Sequence, residues 1–264
     1  MTLVLKKSTV ITKQSLNGTG LTIRRLNMIT AIQLKQVIRN RRFLIFTIIF
    51  PTLWYWMMIK LINVPHNQTF QLILLVLALL IGILGNSIVT FSKRIASNRR
   101  FYFLQARISQ YSIWRYMGSQ LITQVILNLV ITIVLVLLAC ILQTINFNHS
   151  TWLALGLVNI LGIYLSVIGF AFGISFDRPS IDAGSTPLMF LLAIFIVPWN
   201  VFLPVNSMIK LMTSVQKLLP SYYAYQLVQQ SDQLIKNCSL FSISAALTLV
   251  PFLLIIWFNL HRRM

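Results

Sequence analysis

The sequence predicts an all-α integral membrane protein with six transmembrane helices. Three observations carry this. Of 264 residues, 57% are hydrophobic and only 9% charged, against roughly a quarter charged in a soluble domain. The mean hydropathy is +0.80, which is more apolar mass than one soluble core holds. The apolar residues also gather into stretches of about 20, the length that crosses about 30 Å of hydrocarbon.

The expected spans are Phe43–Ile62, Phe70–Phe91, Leu121–Leu142, Trp152–Phe176, Leu188–Val205 and Leu240–Leu260. Lys60 can snorkel from the end of the first. Phe70–Phe91 and Leu121–Leu142 carry no charge on any face, unlike a helix of a soluble bundle, which keeps a polar face. Pro51, Pro198 and Pro251 fall inside spans, where each removes a backbone donor and predicts a kink. Met1–Gly20 is polar and lacks the apolar core of a signal peptide, so the first span is expected to direct insertion.

Basic residues orient the chain. Eighteen of the 22 Lys and Arg flank one side of these spans, and only Lys60, Lys210, Lys217 and Lys236 flank the other. The positive-inside rule then places both termini in the cytoplasm. It also gives the net charge of +19 a topological origin, without nucleic acid as a partner. Cys140 is expected to be buried in the third span and Cys238 to lie outside. Their separation suits neither a disulfide framework nor zinc.

Three connecting segments exceed what a turn needs. Residues 1–23 form a polar tail, and 24–264 a single domain. In Arg24–Arg42, Lys35, Arg39 and Arg42 align on one helical face, with Leu34, Val37 and Ile38 on another. That spacing fits an interfacial helix on anionic lipid, and equally fits plain positive-inside flanking. Ser92–Gln120 interleaves bases and aromatics. Arg99, Arg100, Phe101, Tyr102, Phe103, Leu104 and Arg107 suit a protein contact, whereas Tyr111, Trp114 and Tyr116 suit an aromatic belt at the headgroups. Asn206–Ser239 is expected to hold a helix over Ser207–Leu219, ended by Pro220, and to dip into the outer leaflet. Asn67-Gln-Thr69, Asn148-His-Ser150 and Asn237-Cys-Ser239 match the three-residue glycosylation pattern, which chance supplies often.

Catalytic material is scarce. The only acids are Asp177, Asp182 and Asp232, and there is no Glu. A His-Glu-x-x-His site is therefore excluded, and paired-carboxylate catalysis and carboxylate metal sites have almost no material to build on. No Gly-x-x-x-x-Gly-Lys-[Ser/Thr] occurs to cradle a nucleotide, and no ionisable residue sits mid-span to relay protons. The chain calls for no cofactor, no metal and no enzymatic activity of its own. If it moves a solute, a partner supplies the energy.

Two passages resemble a known family. Arg39-Asn-Arg-Arg-Phe-Leu-Ile-Phe-Thr-Ile-Ile-Phe-Pro51 is a basic helix running into a first span with a Pro. Phe202-Leu-Pro204, Asn206-Ser207 and Leu218-Leu-Pro-Ser-Tyr-Tyr-Ala224 look like an outer end of span five with a re-entrant segment before the last helix. In this order they resemble the membrane subunit of type-2 ABC exporters, from Arg24 to Leu260. The chain departs from that family at Phe101, where an Arg-Glu-Arg pattern is usual. The resemblance implies a permease of the cell membrane that pairs with a second copy or a sister subunit, through spans one and five. It implies a separate ATP-binding subunit, met through the segment Arg99–Arg107, and a hydrophobic or amphipathic cargo such as a drug, peptide or lipid-linked molecule. The alternative from another class is a non-transporting immunity or sensor module on the same fold.

Overall fold

The computed structural model describes residues 34, 35, 37, 39, 44–61, 67–109, 113–204, 206–229 and 233–263, and among them there is no strand. Five helical stretches are long and apolar enough to cross a membrane: Gln68–Phe101, Tyr116–Ile141, His149–Ser175, Arg178–Ile196 and Leu234–Asn259. The first expected span is described over 44–61, and Phe43 and Ile62 lie outside the described residues.

Helix α1 begins as π-helical turns, Leu44–Ile49, and continues as Phe50–Leu61. The change falls at Pro51, which is buried. A proline cannot donate to the carbonyl four residues back, here that of Thr47, and its ring crowds that carbonyl. The wider π turn accommodates both.

Helix α2 covers 68–109: Gln68–Leu84, a π-helical stretch Gly85–Phe91, and Ser92–Ser109. Asn67 caps it, its side chain accepting from the Thr69 N–H at 3.0 Å. The sequence reading ends this span at Phe91 and follows it with a loop. The structure instead continues the helix to Ser109, because Ser92–Ser109 holds no Gly or Pro to stop it. Helix α3, Ile113–Ile141, likewise starts earlier than expected. Tyr111 lies outside the described residues, as does the side chain of Trp114.

Helix α4 is His149–Ser175, with Asn148 at its N-cap. Two of the three glycosylation patterns therefore coincide with helix caps. Helix α5 is Arg178–Ile196, starting ten residues before the expected Leu188. Arg178 and Asp182 lower the hydropathy of that stretch, yet Pro179 in the first turn favours a helix start. At its far end Pro198 does not kink a continuing helix. Val197 is extended (φ −63°, ψ 125°), as the residue before a proline prefers, so the helix ends at Ile196 and a new turn, α6, forms at Trp199–Phe202.

Two short helices follow, α7 (Ser207–Gln216) and α8 (Pro220–Gln229). Pro220 thus opens α8 rather than only closing α7. Helix α8 buries Pro220, Ser221, Ala224, Tyr225, Leu227 and Val228 against α2, α4 and α9. Helix α9, Leu234–Arg263, runs through Pro251.

The core is built around α2 and α4. Residues Leu72–Leu80 of α2 are buried on every face, and Gly82 lies where Pro51, Thr47 and Ile131 converge. In α1, Tyr55 is fully buried and its hydroxyl pairs with the Thr144 hydroxyl at 2.8 Å. Cys140 lies in the third span on the face of α3 turned away from the helix core, and Cys238 is half-buried in α9. Helix period explains Cys140: its neighbour Ala139 takes the core-facing position.

Candidate functional site

The candidate site is a basic collar at the end of α2, where that helix leaves the body of apolar helices. Two of its side chains tie it to the end of α4 and the start of α5. Arg99 Nη1 donates to the carbonyl oxygens of Ile174 at 2.8 Å and Phe176 at 3.0 Å. These belong to the last turn of α4, whose carbonyls have no partner within the helix. The guanidinium satisfies them and sits at the negative end of the α4 dipole. Lys93 Nζ forms an ion pair with Asp182 Oδ1 in the first turns of α5, and Arg178 Nε lies 3.9 Å from the other carboxylate oxygen. Arg94 reaches the other way: it donates to Gln124 Oε1 of α3 at 3.4 Å and lies over the Phe91 ring at 5.1 Å.

Asp177 caps α5 beside this group. The Ser180 hydroxyl holds its carboxyl below the usual carboxylate range, and the Arg99 guanidinium adds to this. Two of the three acids in the chain thus stand beside the bases of α2.

The expected contact residues divide here. Arg99 is turned inward onto α4. Phe101 (64% exposed), Leu104 (59%) and Arg100 are on the surface. Phe101 and Leu104 lie three residues apart, hence on one helical face. Tyr102, Phe103 and Arg107 continue the helix, and their side chains lie outside the described residues.

Below the collar, α2 and α4 meet at backbone distance. A Cβ on Gly169 would stand 2.1 Å from the Ser87 carbonyl oxygen, and one on Gly173 2.7 Å from that of Ser92. Only glycine fits there. A third, Gly162, faces Asn128 of α3, whose Nδ2 would lie 2.5 Å from a Cβ. Asn128 Oδ1 accepts from Asn86 Nδ2 at 2.9 Å, and the Ser87 and Ser166 hydroxyls pair at 3.2 Å. This buried polar seam crosses the π-helical stretch of α2. The Gly169-Phe-Ala-Phe-Gly173 pattern signals such a contact in the sequence, and the expected-site residues did not include it.

A cavity of about 40 Å³ lies among Leu80, Leu161, Tyr164, Leu192, Ile196 and Pro220. Small-molecule sites occupy about 300 Å³ or more, so this one is no cargo chamber.

A family model described as ABC-2 type transporter matches residues 24–231. The chain belongs to the ABC-2 type transporter family. Its relatives include YvfS of Bacillus subtilis (strain 168), a chain named only as a candidate transport permease. It is 24% identical over 213 residues, covering 78% of this chain and 86% of that one. No solved structure matches the chain. With its apolar helices, this ABC-2 permease is a multi-pass membrane protein and a transmembrane transport subunit.

Proposed function

We propose that this ABC-2 permease is the membrane half of an ATP-driven exporter, driven by a separate ATPase that docks on the basic end of α2. The observation that carries this is the collar. A long, unbroken helix extends past the membrane body, exposes Phe101 and Leu104 at its tip, and is tied to α4 by Arg99 and to α5 by Lys93. A push at the tip reaches two spans without a flexible joint. Arg100, Phe101, Tyr102, Phe103, Leu104 and Arg107 form the docking surface. Arg99 belongs to the same segment as the tie that makes it rigid.

The rest of the reading follows topology. Six spans, with α1 as the first, put both termini in the cytoplasm of a cell-membrane protein, and α7–α8 form the re-entrant outer segment. Val37 is buried against Leu127 while Lys35 and Arg39 are exposed, which suits an amphipathic helix before α1. Six helices form too thin a wall to enclose an amphipathic solute, so two copies, or this chain and a sister, enclose the path. Exposed Leu, Ile and Phe on the spans suit a hydrophobic or amphipathic cargo.

The test is co-purification with the ATPase. Phe101→Ala with Leu104→Ala should lower ATPase recovery per inserted molecule by at least about thirtyfold, since a single truncated anchor typically costs about 2 kcal/mol or more. Insertion should be unchanged. Normal recovery would overturn the docking site, and loss of insertion with normal recovery in the surviving protein would assign these residues to the aromatic belt.

A further inference from the structure

Helix α7 presents three different faces, and together they specify its surroundings. Ile209, Met212 and Thr213 are half-buried and Gln216 is buried, its Nε2 donating to the Val197 carbonyl oxygen. This row holds α7 on the protein. A second row, Met208 (75% exposed), Leu211 (68%) and Val215 (39%), continued by Leu218 (61%), is apolar and uncovered. Lys210, Ser214 and Lys217 make a third row, exposed and polar. Spacings of three and four residues keep each row on its own side of the helix.

We propose that α7 lies in the headgroup layer of the bilayer and binds anionic phospholipid. Met208, Leu211 and Leu218 enter the acyl region, and Lys210 and Lys217 each hold a lipid phosphate. An apolar row beside a basic row is what an interfacial helix needs. Seven residues of helix separate the lysines by about 10 Å, the spacing of two headgroups rather than one. The position also fits: α7 follows the end of α5 opposite to Asp182, so it stands at the bilayer face away from the α2 collar.

Charge chooses lipid over a second copy of the chain. A protein partner covering α7 would have to neutralise two lysines. This chain has three acids, and Asp177 and Asp182 stand at the opposite end. Asp232 alone remains, outside the described residues. The inference does not depend on an ATPase.

The experiment uses the full chain in nanodiscs of phosphatidylcholine with about one-third phosphatidylglycerol. A photoreactive residue replaces Met208 or, separately, Leu211, and adducts are identified by mass. The expected product is a phospholipid adduct in which phosphatidylglycerol is several-fold enriched over its share of the bilayer. Lys210→Gln and Lys217→Gln should each lower that enrichment by up to about fivefold, and together abolish it, while total lipid adduct persists. Adducts mainly to a second copy of the chain would overturn the proposal. So would lipid adducts without enrichment, or enrichment that survives the double substitution.

Discussion

Helices α4 and α9 have nearly the same mean hydropathy, 2.1 and 2.3 over their most apolar stretches, yet 72% of the first stretch is buried within the chain and 17% of the second. Hydropathy therefore reports that a helix can enter the bilayer and says nothing of what it touches there. The difference lies in glycine. Helix α4 presents Gly162, Gly169 and Gly173 along one side, where the α2 backbone and the Asn128 side chain of α3 come close. Helix α9 contains no glycine and exposes Leu247, Leu254, Trp257 and Phe258. In hydrocarbon, burying a leucine against protein gains little over burying it against lipid. Close packing and polar pairing decide which helices associate.

The sharpest way to break this contrast is at Gly169. Gly169→Val places a branched side chain into the Ser87 carbonyl, and neither backbone can withdraw without separating α2 from α4. The expected loss is about 3 kcal/mol or more, seen as failed insertion or a large drop in thermal stability in detergent. Gly156→Ala, with open space around it, and Leu247→Ala on α9 should leave stability nearly unchanged. Equal effects at Gly169 and Leu247 would show that the two helices are held alike.

The polar seam gives the next effect. Asn128→Ala removes the acceptor for Asn86 Nδ2 and leaves that amide without this partner in the interior. A cost of about 1–2 kcal/mol is expected, with Asn86→Ala costing similarly and the double variant less than the sum. Strict additivity in thermal melts of the four proteins would mean that the pair does not couple α2 to α3.

Much of this architecture is legible in the sequence, and the misses share a cause. The cores of the second, third, fourth and sixth spans come from apolar length alone. Family membership comes from the order of loose motifs. The helical extension of α2 does not, because hydropathy ends the span at Phe91, whereas the backbone ends only where something breaks it. Likewise α5 starts at Arg178, since Asp182 is paired with Lys93 and its charge is not spent on the bilayer. Arg99 reads as one more base in a basic segment. Its placement on the α4 carbonyls depends on the α2–α4 approach, which the glycine spacing encodes and a count of charges ignores.

The smallest expected effect concerns the tie between α2 and α5. Lys93 and Asp182 are 35% and 42% exposed, so water and salt screen them, and such pairs contribute at most about 1 kcal/mol. The two residues are not equivalent. Losing Lys93 leaves Asp182 near Arg178, its neighbour one turn back in α5, whereas losing Asp182 strips both bases of their acid. Asp182→Ala should therefore destabilise more than Lys93→Ala. Exchanging the charges, Lys93→Asp with Asp182→Lys, restores the pair across the helices but sets Lys at 182 against Arg178 at i,i+4, a repulsion of a few tenths of a kcal/mol. The exchange should recover stability only in part, and adding Arg178→Gln should recover more. Thermal melts at low and high salt check the order. If the exchanged protein matches the wild type without the Arg178 change, the tie is carried by Lys93 and Asp182 alone. If no variant moves the melt, α5 is held to the α2–α4 body by its apolar face, and Arg99 is the only tie the collar needs.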